Sequence, residues 1–139
     1  MRNVAATLRL RTRGSGLMEI TEEVRGWLAS QAVTTGLLTL FCRHTSASLL
    51  IQENAAHAVR HDLERFFAAL APEDPERYEH NDEGPDDMPA HLRTALTGVQ
   101  LSIPVSAGRL ALGTWQGIYL FEHRHRAHER EITLHLIGE

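Results

Sequence analysis

The run GIYLFEHRHRAHEREITLHLIG, residues 117 to 138, decides the fold. Its first six residues, GIYLFE, form an apolar segment of strand length that contains β-branched and aromatic side chains. Its last eight, EITLHLIG, alternate cleanly between apolar and polar, which is the period of a half-buried strand. HRHRAHER, residues 123 to 130, is polar and reads as the turn between them, with Arg130 facing Glu122 across a hairpin. Just upstream, VQLSIPV (99–105), a turn at SAG (106–108) and RLALG (109–113) repeat the pattern. Strands joined by turns this short lie antiparallel.

Working toward the N-terminus, VAATLRLRT (4–12) is an opening strand broken by GSG at 14–16. Thr21, Glu22 and Glu23 start a short amphipathic helix whose Ile20, Val24, Trp27 and Leu28 share one face. LLTLFCRHTSASLLIQE, after Gly36, reads as two strand segments meeting near His44. Asn54 offers an N-cap to a second helix carrying Val59, Leu63, Phe66, Phe67 and Leu70 at helical spacing as far as Pro72. Residues 73–87 hold eight acids in fifteen positions and form a loop. Pro89 then sits in the first turn of a short helical stretch through Leu96 that Gly98 terminates. Two main helices, a helical turn and several strands imply an α+β fold around an antiparallel, sandwich-like sheet core.

With 139 residues and 42% hydrophobic content, the chain suits a single domain spanning 1–139. Its net charge is −4 and all 14 basic residues are arginine, which excludes Schiff-base catalysis and a P-loop lysine. A mildly acidic chain argues against nucleic acid as a partner. The N-terminal MRNVAATLRLRTRG lacks a signal-peptide core, and no window approaches the roughly 18 apolar residues of a membrane span. Cys42 is alone, so no internal disulfide forms and a reducing compartment, the cytoplasm, is expected.

Four segments carry chemistry. In FCRHTSASLL, His44 is an imidazole among hydroxyls, able to bind a metal or move a proton, or else to serve as a core histidine. HNDEGPDDMPAH (80–91) offers His80 and His91 as nitrogen donors with Asp82, Asp86 and Asp87 as oxygen donors, a mixture suited to Zn, Mn or Fe. The bland alternative is a solvated acidic loop, Glu83 included, with Asp87 capping the next helix. In GTWQGIYLFEHR, Gln116 can bond a substrate edge, Glu122 can orient a histidine or pair with arginine, and Trp115 reads as a core plug. Within the basic turn, Arg124, His125 and Arg126 read as solvated, and Arg130 as the functional arginine.

HTSASLLIQENA, HNDEGPDDMPAHLRTALTG and GRLALGTWQGIYLFEHR together resemble the YjbQ family, whose members are often labelled secondary thiamine-phosphate synthases. The resemblance covers nearly the whole chain, although the turn HRHRAH is richer in histidine and arginine than the family pattern. It implies an α+β homotrimer with a cleft where His44, His80 and His91 gather around a divalent metal, zinc by ligand type. His44, Asn54, Asp87, His91, Gln116, Glu122 and Arg130 are the implied catalytic residues. The implied reaction joins a pyrimidine methyl pyrophosphate to a thiazole phosphate and releases pyrophosphate. The leaving group needs charge stabilisation, for which magnesium on carboxylates is usual while histidines suit a transition metal. The alternatives are a non-catalytic metabolite- or metal-binding trimer and a metal-dependent hydrolase of small phosphorylated compounds.

Overall fold

The alternation in EITLHLIG becomes a strand in which Ile132, Leu134 and Leu136 are buried while Thr133, His135 and Ile137 face the other way. The computed structural model describes all 139 residues. In chain order the elements are β1 (Arg2–Arg11), β2 (Gly16–Glu19), α1 (Thr21–Ala29), β3 (Gly36–Cys42), β4 (Ala47–Glu53) and α2 (His57–Leu70). They continue with α3 (Asp87–Thr97), β5 (Gln100–Ser106), β6 (Arg109–Leu110), β7 (Gln116–Glu122) and β8 (Glu129–Gly138), and a 3-10 turn at Pro75–Arg77 precedes α3.

Every strand pairing is antiparallel, in two sheets ordered β1-β8-β3-β5-β6 and β2-β7-β4. The expected α+β class is therefore observed, with three helices. The core fills the space between the sheets: Leu38, Leu40, Ile103, Ile132, Leu134 and Leu136 from the large one meet Leu49, Ile118 and Leu120 from the small one. α1 adds Ile20, Val24 and Leu28 at helical spacing. Truncating one of these leucines to alanine costs about 2–5 kcal/mol, the transfer term plus the cavity left behind.

Several expectations need correction. β7 and β8 do not form a hairpin: β7 pairs with β2 and β4, whereas β8 pairs with β1 and β3. HRHRAH is instead a crossing from the small sheet to the large one. The same crossing occurs between β1 and β2 and between β3 and β4, so residues 12–15, 43–46 and 123–128 adjoin one another. Backbone bonds bind these crossings, with His123 N–H donating to Ser46 O at 3.2 Å and Thr12 N–H to His128 O at 2.8 Å.

Asn54 caps no helix. α2 begins at His57 without a side-chain cap, and the Asn54 amide instead donates to Glu19 at 3.1 Å. The expected helical turn near Pro89 is a full helix of 11 residues, with Asp87 inside its first turn and Gly98 closing it at φ 96°. Trp115 is no core plug; it stands 63% exposed on the turn before β7. α2 lays Phe67 edge-on against Phe121 of β7, but Phe66 and Leu70 on the same helix remain exposed.

Candidate metal centre

α3 presents Asp87 and His91 on one face because they lie four residues apart. The loop before it returns His80 to the same point, so His80 Nε2 stands 2.8 Å and His91 Nε2 3.3 Å from Asp87 Oδ2. Glu83 joins them, with a carboxylate oxygen 3.7 Å from His80 Nε2. One donor atom from each of these four residues lies within 4.8 Å of all the others. Bonds of about 2.0–2.2 Å in a tetrahedral site place ligand atoms about 3.4 Å apart, so small side-chain rotations suffice.

The hydrogen-bonding partners orient these donors. His91 Nδ1 faces the Thr45 carbonyl at 3.1 Å, so Nδ1 carries a proton and donates there, and the ring is held with Nε2 toward the cluster. Asp87 is nearly fully buried, and Arg124 divides its two oxygens by donating to Oδ1 at 2.7 Å, which leaves Oδ2 for the imidazoles. Arg124 also donates to Asp86 at 3.0 Å and to the Glu83 carbonyl at 2.9 Å. Burial pushes the Asp87 carboxyl up, but contacts with His80 and Glu83 and the His91 and Arg124 charges outweigh it and hold it below the usual range. The same Asp87 bond raises His80. With protons on both Nε2 atoms these residues form a hydrogen-bonded His-Asp-His cluster, and without them a ligand set.

His44 is not brought into this group. It sits on the β3–β4 crossing, where its Nε2 accepts the Glu131 N–H at 2.8 Å and its Nδ1 lies 3.5 Å from Arg130. Burial and the Arg130 charge lower its pKa and keep it neutral. Beside it, Arg130 Nε donates to Glu122 Oε1 at 2.8 Å, and Thr12 donates to the same oxygen at 2.7 Å. Glu122 and Arg130 are buried and tie the end of β7 to the start of β8. A shallow groove of about 600 Å³ links the two groups, lined by His91, His44, Phe41, Thr94 and Val99.

Asn54 and Gln116 lie elsewhere. Gln116 is at the opposite end of β7 from Glu122, about 20 Å away along an extended strand. Its side chain accepts the Gly113 N–H at 2.7 Å and so closes the turn that carries Trp115.

Three participants escape the sequence reading. Glu83 belongs to the cluster rather than to the solvated part of the loop, and its spacing of three from His80 within a turn-forming segment is a usable signal. Arg124 is not solvated, since its side chain is only 20% exposed. The dense acids of residues 73–87 require a cationic counterpart, and HRHRAH is the densest basic run available. His123 is completely buried against Phe121, with Nε2 2.9 Å from Ser48 Oγ. Extending the alternation of Tyr119 and Phe121 by one step is enough to place it. Burial and the nearby Arg93 charge push its pKa down to about 3.

The fold and this cluster define a small antiparallel α+β protein with a histidine-carboxylate centre at a loop-helix junction. Residues 6–139 match the family described as UPF0047 protein YjbQ-like, and the chain belongs to that family. It is 53% identical over 128 residues to a UPF0047 protein of Synechocystis sp., covering 92% of this chain and 87% of that one. It is 46% identical over 134 residues to UPF0047 protein YjbQ of Escherichia coli O157:H7, covering 96% of each. Among solved structures, a conserved hypothetical protein of Thermus thermophilus superposes with TM-score 0.82 at 34% identity, over 95% of this chain and 99% of that one. A YbjQ-like protein of Sulfolobus solfataricus P2 shares the fold at TM-score 0.87 and 23% identity, over 99% and 100% of the two chains. No helix is long and apolar enough to cross a membrane.

Proposed function

We propose that this chain is a metal-assisted enzyme acting on a small phosphorylated substrate, with the ion held by His80, Asp87, His91 and Glu83. The observation that carries the reading is the His91 Nδ1 bond to the Thr45 carbonyl, the partner arrangement that metal-ligating histidines require. Two imidazoles with two carboxylates suit zinc or a similar transition metal better than magnesium, which takes oxygen ligands and retains water. Such an ion supplies Lewis-acid stabilisation of charge developing on a phosphoryl oxygen. Arg124 aims Asp87, Thr45 aims His91, and the groove toward His44 receives the rest of the substrate. Arg130 and Glu122, expected among the catalytic groups, act by fixing the crossing on which His44 stands. A cytoplasmic homotrimer is the setting the family resemblance suggests.

Calorimetric titration of metal-stripped protein with zinc, cobalt and magnesium tests the site. Zinc and cobalt should bind near stoichiometrically and magnesium weakly, with His91→Ala and Asp87→Asn each losing the transition metal. Unchanged metal binding in both variants would remove the assignment. The family label supplies the first reaction to assay, formation of thiamine phosphate with pyrophosphate release. No product above a blank from metal-loaded protein would discard that substrate pair and leave the metal site standing.

A further inference from the structure

A second cavity lies apart from the groove beside the metal cluster. It is a cleft of about 610 Å³ between the β1–β2 crossing and α2. Three arginines line it: Arg11 and Arg13, two residues apart on an extended chain, and Arg60 from α2. None of the three forms a salt bridge, which sets them apart from Arg124 and Arg130. Arg60 stacks 5.9 Å over the Tyr119 ring, and its Nε is buried without a partner.

The floor adds neutral donors. The N–H groups of Arg13, Gly14 and Ser15 make no hydrogen bond within the chain, and the Ser15 hydroxyl borders the same space. Gly14 and Gly16 hold this turn open at φ 125° and 137°, and a Cβ at Gly14 would stand 2.9 Å from the His125 carbonyl. Successive free N–H groups beside arginine are the chemistry that recognises phosphoryl oxygens.

The carboxylates on the cleft are largely committed elsewhere. Glu122 is bound by Arg130 and Thr12, Glu64 accepts the Leu17 N–H at 2.7 Å, and Glu19 accepts from Thr21 at 2.7 Å and Asn54 at 3.1 Å, which leaves Glu23 as the one carboxylate on the cleft without a partner. Their charge still limits the occupant, because a second phosphate would meet Glu19, Glu23 and Glu64 on the cleft.

We propose that this cleft is a second binding site, for one phosphoryl group of a small phosphate monoester, built by Arg11, Arg13, Arg60 and the free N–H groups of residues 13–15. It shares no residue with the metal cluster and does not depend on metal.

The test is calorimetry on metal-stripped protein at low salt, with inorganic phosphate, glycerol 3-phosphate and pyrophosphate as probes. Phosphate and glycerol 3-phosphate should bind wild type and His91→Ala alike, and pyrophosphate no more tightly than phosphate. The Arg11→Ala/Arg13→Ala double variant, altered only at exposed side chains, should bind about tenfold or more weakly, the scale of one or two lost charge-assisted hydrogen bonds. Gly14→Ala should weaken binding independently of charge. Equal binding by wild type and the double variant, or no binding by wild type at millimolar probe, overturns the proposal. Loss of binding in His91→Ala would place the anion at the metal centre and overturn it as well. Failure of the metal assignment alone leaves these outcomes unchanged.

Discussion

Replacing Arg130 with methionine strands the Glu122 carboxylate in the interior. The pair is 5% and 1% exposed in its side chains. Glu122 would keep donors from Thr12 at 2.7 Å and from the His123 and Arg124 N–H groups at 3.1 and 3.2 Å, but would lose both guanidinium bonds and the compensating charge. Breaking a buried pair on one side costs about 3–5 kcal/mol. Glu122→Gln removes the charge from the other side and leaves Arg130 with Ser46, so it should cost a similar amount. In Glu122→Gln/Arg130→Met the amide still accepts from Thr12 and no charge is stranded, so the loss should fall to about 1–2 kcal/mol. Urea unfolding at neutral pH reads all four proteins as a double-mutant cycle, with a coupling energy of roughly 4–9 kcal/mol expected. Acidity supplies a second reading. Burial raises the Glu122 carboxyl, but bonds from Arg130 and Thr12 outweigh it and leave it below its usual value. A depressed folded pKa contributes stability that is present above the unfolded value of about 4.3 and is lost as pH falls through the folded one. Wild type should therefore lose its advantage over Glu122→Gln in acid. Single variants that each cost less than about 1 kcal/mol, or a coupling energy near zero, would refute the reasoning.

Arg124→Ala should weaken zinc binding by about 10–100-fold, and Arg124→Lys should recover little, because a single ammonium cannot reproduce the fork across Asp86 and Asp87; titration with cobalt absorbance as the readout decides it. Zinc affinity should rise with pH through the His80 titration, since the proton that Asp87 helps to hold there must leave; a pH-independent affinity would contradict the ligand role. His123 has a folded pKa of about 3, so stability should be complete above the unfolded value of about 6.5 and decline as pH falls below it. Urea midpoints for His123→Phe should lack the part of that slope lying between the Glu122 range and neutrality. Burial raises the Cys42 thiol to about 11, so alkylation at neutral pH should proceed only on unfolding.

Strands are legible because burial imposes a period of two on the residues themselves: Ile132, Leu134 and Leu136 need no knowledge of their partners to reveal an inward face. Pairing is not legible in the same way. EITLHLIG has the same alternation whether it pairs with GIYLFE or, as it does, with β1 and β3. The short polar run between them suggests a hairpin, and the choice of a sheet crossing rests on contacts between residues far apart in the chain, such as His44 with Glu131. Asn54 follows the same rule: its neighbours in sequence suggest a cap, whereas Glu19, 35 residues earlier, determines what its amide does.

The candidate site shows the same division between local and distant causes. Asp87 and His91 can be placed together because helix geometry relates them, and His80 because the loop must return to the helix start. Arg124 lies 37 residues beyond Asp87 on a different crossing, and nothing periodic connects them. Each segment looks solvated when considered alone, since a run of acids and a run of bases both match the composition of exposed chain. Their complementarity is the informative feature: of the eight acids in residues 73–87, Glu73, Asp86 and Asp87 bond to the one dense basic run of a chain whose net charge is −4. An unpaired acidic loop would repel itself and leave α3 early. Arg124 removes that repulsion at Asp86 and Asp87 and, in doing so, selects which Asp87 oxygen faces His80 and His91. The residue that makes the loop foldable is thus the one that gives the cluster its geometry.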